Sequence, residues 1–235
     1  MIQKTFRILA SAAAFWAASL TTSLAGDNPV VVELYTSQGC SSCPPADALL
    51  HQLAKRDDVI ALAMHVDYWD YIGWKDQFAS PAHSERQRTY AVVAGRRSVY
   101  TPEMIINGED SIVGARGMEI ADAIQKHKSK PSSIDLEIKR SGGELIIAAS
   151  NSARAQSMVV HVLRFQPSRE VRITRGENAG RNMSYANVVQ DWNVLTEWSG
   201  RRDLSVTAPL QGDEPVVVLV QGARQGPILA AAQLR

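Results

Sequence analysis

The chain has only two cysteines in 235 residues, and Cys40-Ser41-Ser42-Cys43 sets them three positions apart between a β-rich run and a helical one. A disulfide that staples a fold usually joins cysteines distant in sequence, because stabilisation grows with the loop that is closed. A four-residue ring closes almost nothing, so the pair reads as chemistry rather than scaffolding. Val30 to Tyr35 is a short strand ahead of it, and Pro44 to Leu53 follows with Ala46, Leu49, Leu50 and Leu53 at helical spacing. At the mouth of that helix the unpaired N–H groups and the helix dipole favour a thiolate. Cys40 is then expected to be the exposed attacking sulfur and Cys43 the resolving one. Two neighbours complicate this. Pro44 biases Cys43 away from helical angles, and Asp47 opposes thiolate formation even as it favours the helix start.

The rest of the chain has two grammars. From Pro29 to about Lys130, apolar runs alternate with helix-length segments, the pattern of an α/β layer structure. Val59 to Val66 is a second buried strand, and Ser80-Pro81 caps a helix reaching about Ala94. Met104 to Asn107 and Ser111 to Val113 are strands joined through an Asn107-Gly108 turn, and Met118 to His127 is a closing helix. After Pro131-Ser132-Ser133 come short runs at Ile134 to Ile138, Leu145 to Ala149, Met158 to Phe165, Val171 to Thr174, Val194 to Trp198, Leu204 to Val206 and Val216 to Val220. These predict a β-sandwich of about seven strands. Arg175 to Asp191, rich in Gly and Asn, fits neither period and is left unassigned. The expected architecture is an α/β domain over residues 26–130 followed by an all-β, sandwich-like domain over 131–235.

Residues 1–25 read as an export signal: Lys4 and Arg7, an apolar run from Ile8 to Leu20, then Ser23-Leu24-Ala25. As a helix that run spans about 20 Å, short of the ~30 Å hydrocarbon core. A periplasmic or secreted location, with no membrane span after cleavage, is the expectation. With 25 basic and 24 acidic residues the chain has no charge excess pointing to nucleic acid.

Val32-Glu33-Leu34-Tyr35-Thr36-Ser37-Gln38-Gly39-Cys40-Ser41-Ser42-Cys43 resembles the opening of glutaredoxins, and Thr101-Pro102-Glu103-Met104-Ile105-Ile106-Asn107-Gly108 resembles their later cis-proline segment. The whole chain resembles a group of secreted thioredoxin-like proteins of proteobacteria known only as a domain of unknown function. It shares their Cys-Ser-Ser-Cys-Pro-Pro-Ala-Asp start, His65-Val66-Asp67-Tyr68-Trp69-Asp70 and Gly176-Glu177-Asn178. The resemblance implies a thioredoxin-like first domain, with a cis peptide before Pro102 packed against the cysteines. Thr101 and Pro102 would then present backbone groups to an incoming thiol substrate. From the residues alone an ordinary trans turn before a strand is the default, and it is the resemblance that reverses this.

If Val30 to Tyr35 and Val59 to Val66 are parallel strands, both end at the same sheet edge, where open α/β sheets bind ligands. Asp67, Tyr68, Trp69 and Trp74 then lie beside the cysteines and form either a substrate wall or an insert covering its own small core. Glu33, on the first strand, is either a buried proton acceptor for Cys43 or an outward, solvated carboxylate; a one-residue register decides.

Three functional readings follow. In the first, the chain is a thiol-disulfide oxidoreductase acting on protein or small-molecule thiols and disulfides, with no cofactor; as a reductase it needs an electron donor such as a membrane thiol-delivery protein. In the second, the two thiolates with His65 or Met104 carry Cu(I). In the third, the pair is inert and the fold serves as a binding module.

Overall fold

The computed structural model describes residues 28–235; the expected export signal lies outside them. Among the described residues no helix is long and apolar enough to cross a membrane. Strand β1 (Val30–Thr36) leads through the cysteine loop into α1 (Pro44–Leu53), followed by β2 (Val59–His65) and α2 (Pro81–Val93). Strands β3 (Glu103–Ile106) and β4 (Asp110–Val113) and helix α3 (Gly117–Lys128) complete the first half. The local chemistry explains these bounds. Two prolines open α1, and Ser80 caps α2 by accepting the Ala82 N–H at 3.2 Å. Asn107 (φ 46°) and Gly108 (φ 71°) make the left-handed turn that pairs β3 with β4.

The second half is all β: β5 (Ile134–Ser141), β6 (Glu144–Asn151), β7 (Met158–Arg172), β8 (Asn182–Trp198), β9 (Leu204–Pro209), β10 (Val216–Gly222) and β11 (Ile228–Leu234). The boundary expected at residue 131 falls between α3 and β5, but it does not separate the sheets. One eight-stranded sheet runs β11-β10-β7-β8-β2-β1-β3-β4, so four strands of the second half extend the sheet of the first. The fold is therefore mixed α/β around one large sheet, with β5-β6-β9 forming a second, three-stranded sheet.

The junction is narrow. Strands β2 and β8 share the parallel pair Ala63↔Val188, and the Asn187 side-chain amide donates to the Ala61 carbonyl at 2.8 Å, standing in for a ladder bond. Elsewhere β8 pairs antiparallel with β7 over most of its length. The unassigned segment Arg175 to Asp191 thus contains the first half of the strand that joins the two parts of the molecule. β11 carries no clear sequence signal either: its alanines give neither a clean alternation nor a bulky apolar run.

Three apolar cores result. Val30, Val32 and Leu34 of β1 face α1 and α3 together with Ala46, Leu50, Ile120 and Ile124. Val31 and Tyr35 point to the other face, toward Tyr90 of α2 and Leu219 of β10. The third core lies between the two sheets, where Leu136 and Ile138 of β5 and Ile147 of β6 meet Val160 of β7 and Val218 of β10.

Candidate functional site

Strands β1 and β2 pair in parallel with Thr36 opposite His65, so the loops leaving them start side by side. The first carries the cysteines. Cys40 and Cys43 form a disulfide with Cα atoms 5.4 Å apart, and Cys43 is the N-cap of α1 in helical conformation. The bias imposed by Pro44 is therefore overridden. The Cys43 carbonyl accepts from Ala46 and Asp47, and this first turn fixes its angles. Cys40 is 3% exposed and Cys43 0%, while Ser41 and Ser42 are exposed. Cys40 is therefore not the open sulfur expected at a helix mouth. Trp69 and Ile72 pack over Gly39, next to it.

The Thr101-Pro102 peptide is cis. Pro102 reaches the first turn of α1 through Gly114: a Cβ on Gly114 would stand 2.9 Å from Pro102 and 3.0 Å from Ala46. Any larger residue would push the proline off the cysteine-bearing helix. The Trp69 indole N–H donates to Thr101 Oγ1 at 2.7 Å, and that of Trp74 donates to Gln38 Oε1 at 2.7 Å. Both indoles thus belong to the cysteine end of the molecule.

The other two predicted wall residues face α2 instead. Asp67 accepts from the Ser84 hydroxyl, and the Tyr68 hydroxyl donates to Gln87 at 3.0 Å. They anchor the insert to α2, while both stay half-buried and the Tyr68 ring lies 6.0 Å from that of Trp69. A 3₁₀ turn at Asp70–Ile72, stopped by Gly73 in the left-handed region, follows Trp69 and leaves Tyr71 79% exposed.

Glu33 is buried, as one alternative had it, but on the wrong face. Strand alternation puts it with Val31 and Tyr35, under α2, where it pairs with Arg86 at 2.8 Å; Cys43 and α1 lie across the sheet. A proton-acceptor role for Glu33 toward Cys43 is corrected accordingly.

The carboxylate on the cysteine side is Asp47. It is one helical turn after Cys43, 4% exposed, and its Oδ1 accepts from Thr36 Oγ1 at 2.8 Å while buried Oδ2 has no hydrogen-bond partner. Burial raises its pKa to about 7, against opposing contributions from nearby His65 and the Thr36 hydroxyl. His65 Nδ1 is bonded to Asp76 Oδ2 at 2.7 Å, and the same oxygen accepts the Gln38 N–H at 2.8 Å. His65 stands edge-on to Tyr185, 4.7 Å between centroids, and Tyr185 is pushed above the usual phenol range by burial, then by Asp47 and Asp76. A signal for Asp47 was present, since i and i+4 share a helix face, but composition pointed only to its charge at the helix start.

Gly176-Glu177-Asn178, between β7 and β8, completes the site. Asn178 Nδ2 donates to the carbonyls of Gln38 (2.9 Å) and Cys40 (3.0 Å), and Glu177 Oε2 accepts the Ser41 N–H at 3.3 Å. Met104 lies in the core beneath α1 and His65 is held by Asp76. Among the described residues no group of three or more His, Cys, Asp or Glu side chains is placed to hold a metal.

Residues 31–221 match the model of a family described as protein of unknown function (DUF1223). No curated protein matches the chain. A crystal structure of a structural-genomics target protein from Agrobacterium tumefaciens is similar at 34% identity and a TM-score of 0.76, covering 89% of this chain and 95% of that one. HBP35 of Porphyromonas gingivalis is similar in fold, with 13% identity, a TM-score of 0.59, and coverage of 88% and 75% respectively.

Proposed function

The chain belongs to the DUF1223 family, whose description assigns no activity, and from the geometry of the site we propose that it is an exported thiol-disulfide oxidoreductase built on a thioredoxin-like first half. The observation that carries this reading is the Cys40–Cys43 disulfide at the start of α1, with cis-Pro102 against the same helix turn and Asp47 buried behind it. A structural cross-link needs neither a neighbouring proline cradle nor an uncompensated acid.

The exchange runs through Cys40, the more accessible sulfur. Acting as oxidant, the disulfide is attacked at Cys40 Sγ by a substrate thiolate; a substrate–Cys40 bond forms and Cys43 leaves, taking its proton from Asp47. A second substrate thiolate then displaces Cys40, so the substrate departs as a disulfide and two electrons stay on the cysteine pair. In the reverse sense the Cys40 thiolate opens a substrate disulfide, and Cys43, deprotonated by Asp47, closes on Cys40 and expels the substrate thiolate. Asp47, with a pKa of about 7, is matched to both transfers. As a reductase the protein would draw electrons from a membrane thiol-delivery protein, its substrates being protein or small-molecule disulfides.

The test is covalent capture. Cys43→Ser, reduced and presented with a mixed-disulfide or protein-disulfide substrate, should retain the substrate on Cys40 and release it with dithiothreitol. A wild-type disulfide that withstands millimolar glutathione, together with no capture by Cys43→Ser, would overturn the proposal in favour of an inert binding module.

A further inference from the structure

The cysteine loop is held by a segment more than 130 positions away in the chain, and that segment brings a charge. Gly176, at φ +76°, turns the chain where a Cβ would meet Trp74 at 3.1 Å. The tight turn delivers Asn178, 1% exposed, onto two carbonyls of the loop and sets the Glu177 carboxylate against the Ser41 N–H. Asp76 holds the Gln38 N–H from below. Ser41 and Ser42 contribute no charge of their own.

We propose that the β7–β8 loop sets the redox direction of the cysteine pair: Glu177 is a positioning residue that disfavours the Cys40 thiolate, and Asn178 fixes the loop so that this carboxylate stays beside it. The physical chain is short. A carboxylate bound to the N–H of the residue after Cys40 neutralises the positive end of the peptide dipoles that would otherwise stabilise the sulfur anion. Disfavouring the thiolate disfavours the reduced pair relative to the disulfide, which biases the protein toward giving electrons to a substrate. The second half of the molecule thereby acts on the chemistry of the first, and the continuous sheet keeps the two in register. This inference rests on the oxidoreductase reading.

Glu177→Gln keeps the shape and an acceptor for Ser41 but removes the charge. The pH profile of Cys40 alkylation is measured in the full chain carrying Cys43→Ser, with and without Glu177→Gln, and the reduced fraction of the otherwise wild-type pair is measured in glutathione buffers. Removing the charge should raise the thiolate fraction at pH 7 by about 3- to 10-fold and shift the reduced-to-oxidised ratio the same way; tenfold corresponds to ~30 mV. The difference should shrink in 1 M salt, where the Debye length is ~3 Å, and Glu177→Asp should restore the wild-type profile. A purely structural Glu177 would move neither the pH profile nor its salt dependence, and unchanged profiles with capture intact would overturn the inference alone. A shifted profile with no capture by Cys43→Ser would keep the electrostatic role of Glu177 and sink the oxidoreductase reading.

Discussion

Two buried polar clusters lie on opposite faces of β1, and they are built on different rules. Under α2 each carboxylate meets an arginine. Glu33 pairs with Arg86, which also donates to the Tyr90 hydroxyl and stacks 3.9 Å from the Trp192 ring centroid; Glu103 lies 2.7 Å from Arg96 and accepts from Gln87. Under α1, Asp47 has a threonine hydroxyl and, among the described residues, no ion pair; like Glu33 it keeps one oxygen without a hydrogen-bond partner. Buried charges that only hold a fold are compensated, because an unpaired one costs several kcal/mol. An acid left with a pKa of about 7 beside a cysteine pair is the arrangement proton transfer requires. On the proposed reading the contrast assigns stability to one face and chemistry to the other.

The largest expected effect breaks the compensated side. Arg86→Met leaves Glu33, fully buried, without its partner and should destabilise the chain by about 3 to 5 kcal/mol in denaturant unfolding. A loss below about 1 kcal/mol would mean that the two clusters do not differ in kind.

Next comes the uncompensated side, where the sign reverses. Between about pH 4 and pH 7 the folded chain keeps the Asp47 proton that the unfolded chain has lost, so stability falls as pH rises through that window and levels off above it. Asp47→Asn should remove that slope and gain about 2 to 4 kcal/mol at pH 8, while slowing the Cys43 step of thiol exchange. A variant that loses stability, or exchanges at the wild-type rate, contradicts the assignment.

The smallest effect concerns the insert. Trp69→Phe removes the hydrogen bond to Thr101 and should cost about 1 kcal/mol of stability. Its larger consequence is expected in capture yield by the Cys43→Ser chain, because the indole orders the residue before cis-Pro102. Unchanged capture would leave Trp69 as packing around Gly39.

Much of the first half could be read from short-range signals. The bounds of α1 and α2 follow from Pro44 and from Ser80-Pro81, and the β3–β4 hairpin from Asn107-Gly108. The parallel pairing of β1 and β2, and with it the meeting of the Cys40 and Asp67 loops, follows from crossover geometry. Long-range partners were harder. Asp67 and Tyr68 looked like their neighbour Trp69, yet they bond to Ser84 and Gln87 of α2, partners that only the packing of α2 against this loop supplies.

What the amino-acid sequence by itself determined is local: the cysteine pair at a helix start, the caps and turns, the change from α/β to all-β grammar, and the presence of acids near the cysteines. These depend on residues within a few positions of one another, where periodicity and backbone preference act. Tertiary structure alone decided which acid lies on the cysteine side of the sheet, since Glu33 and Asp47 are told apart only by the face that each element presents. It also decided that β8 joins β2, and that Gly176-Glu177-Asn178 closes over the cysteine loop. The pairing of β2 with β8 rests on Ala63↔Val188 and one asparagine amide. Contacts at that sequence distance are selected by the packing of whole faces, and no local signal in Arg175 to Asp191 records them.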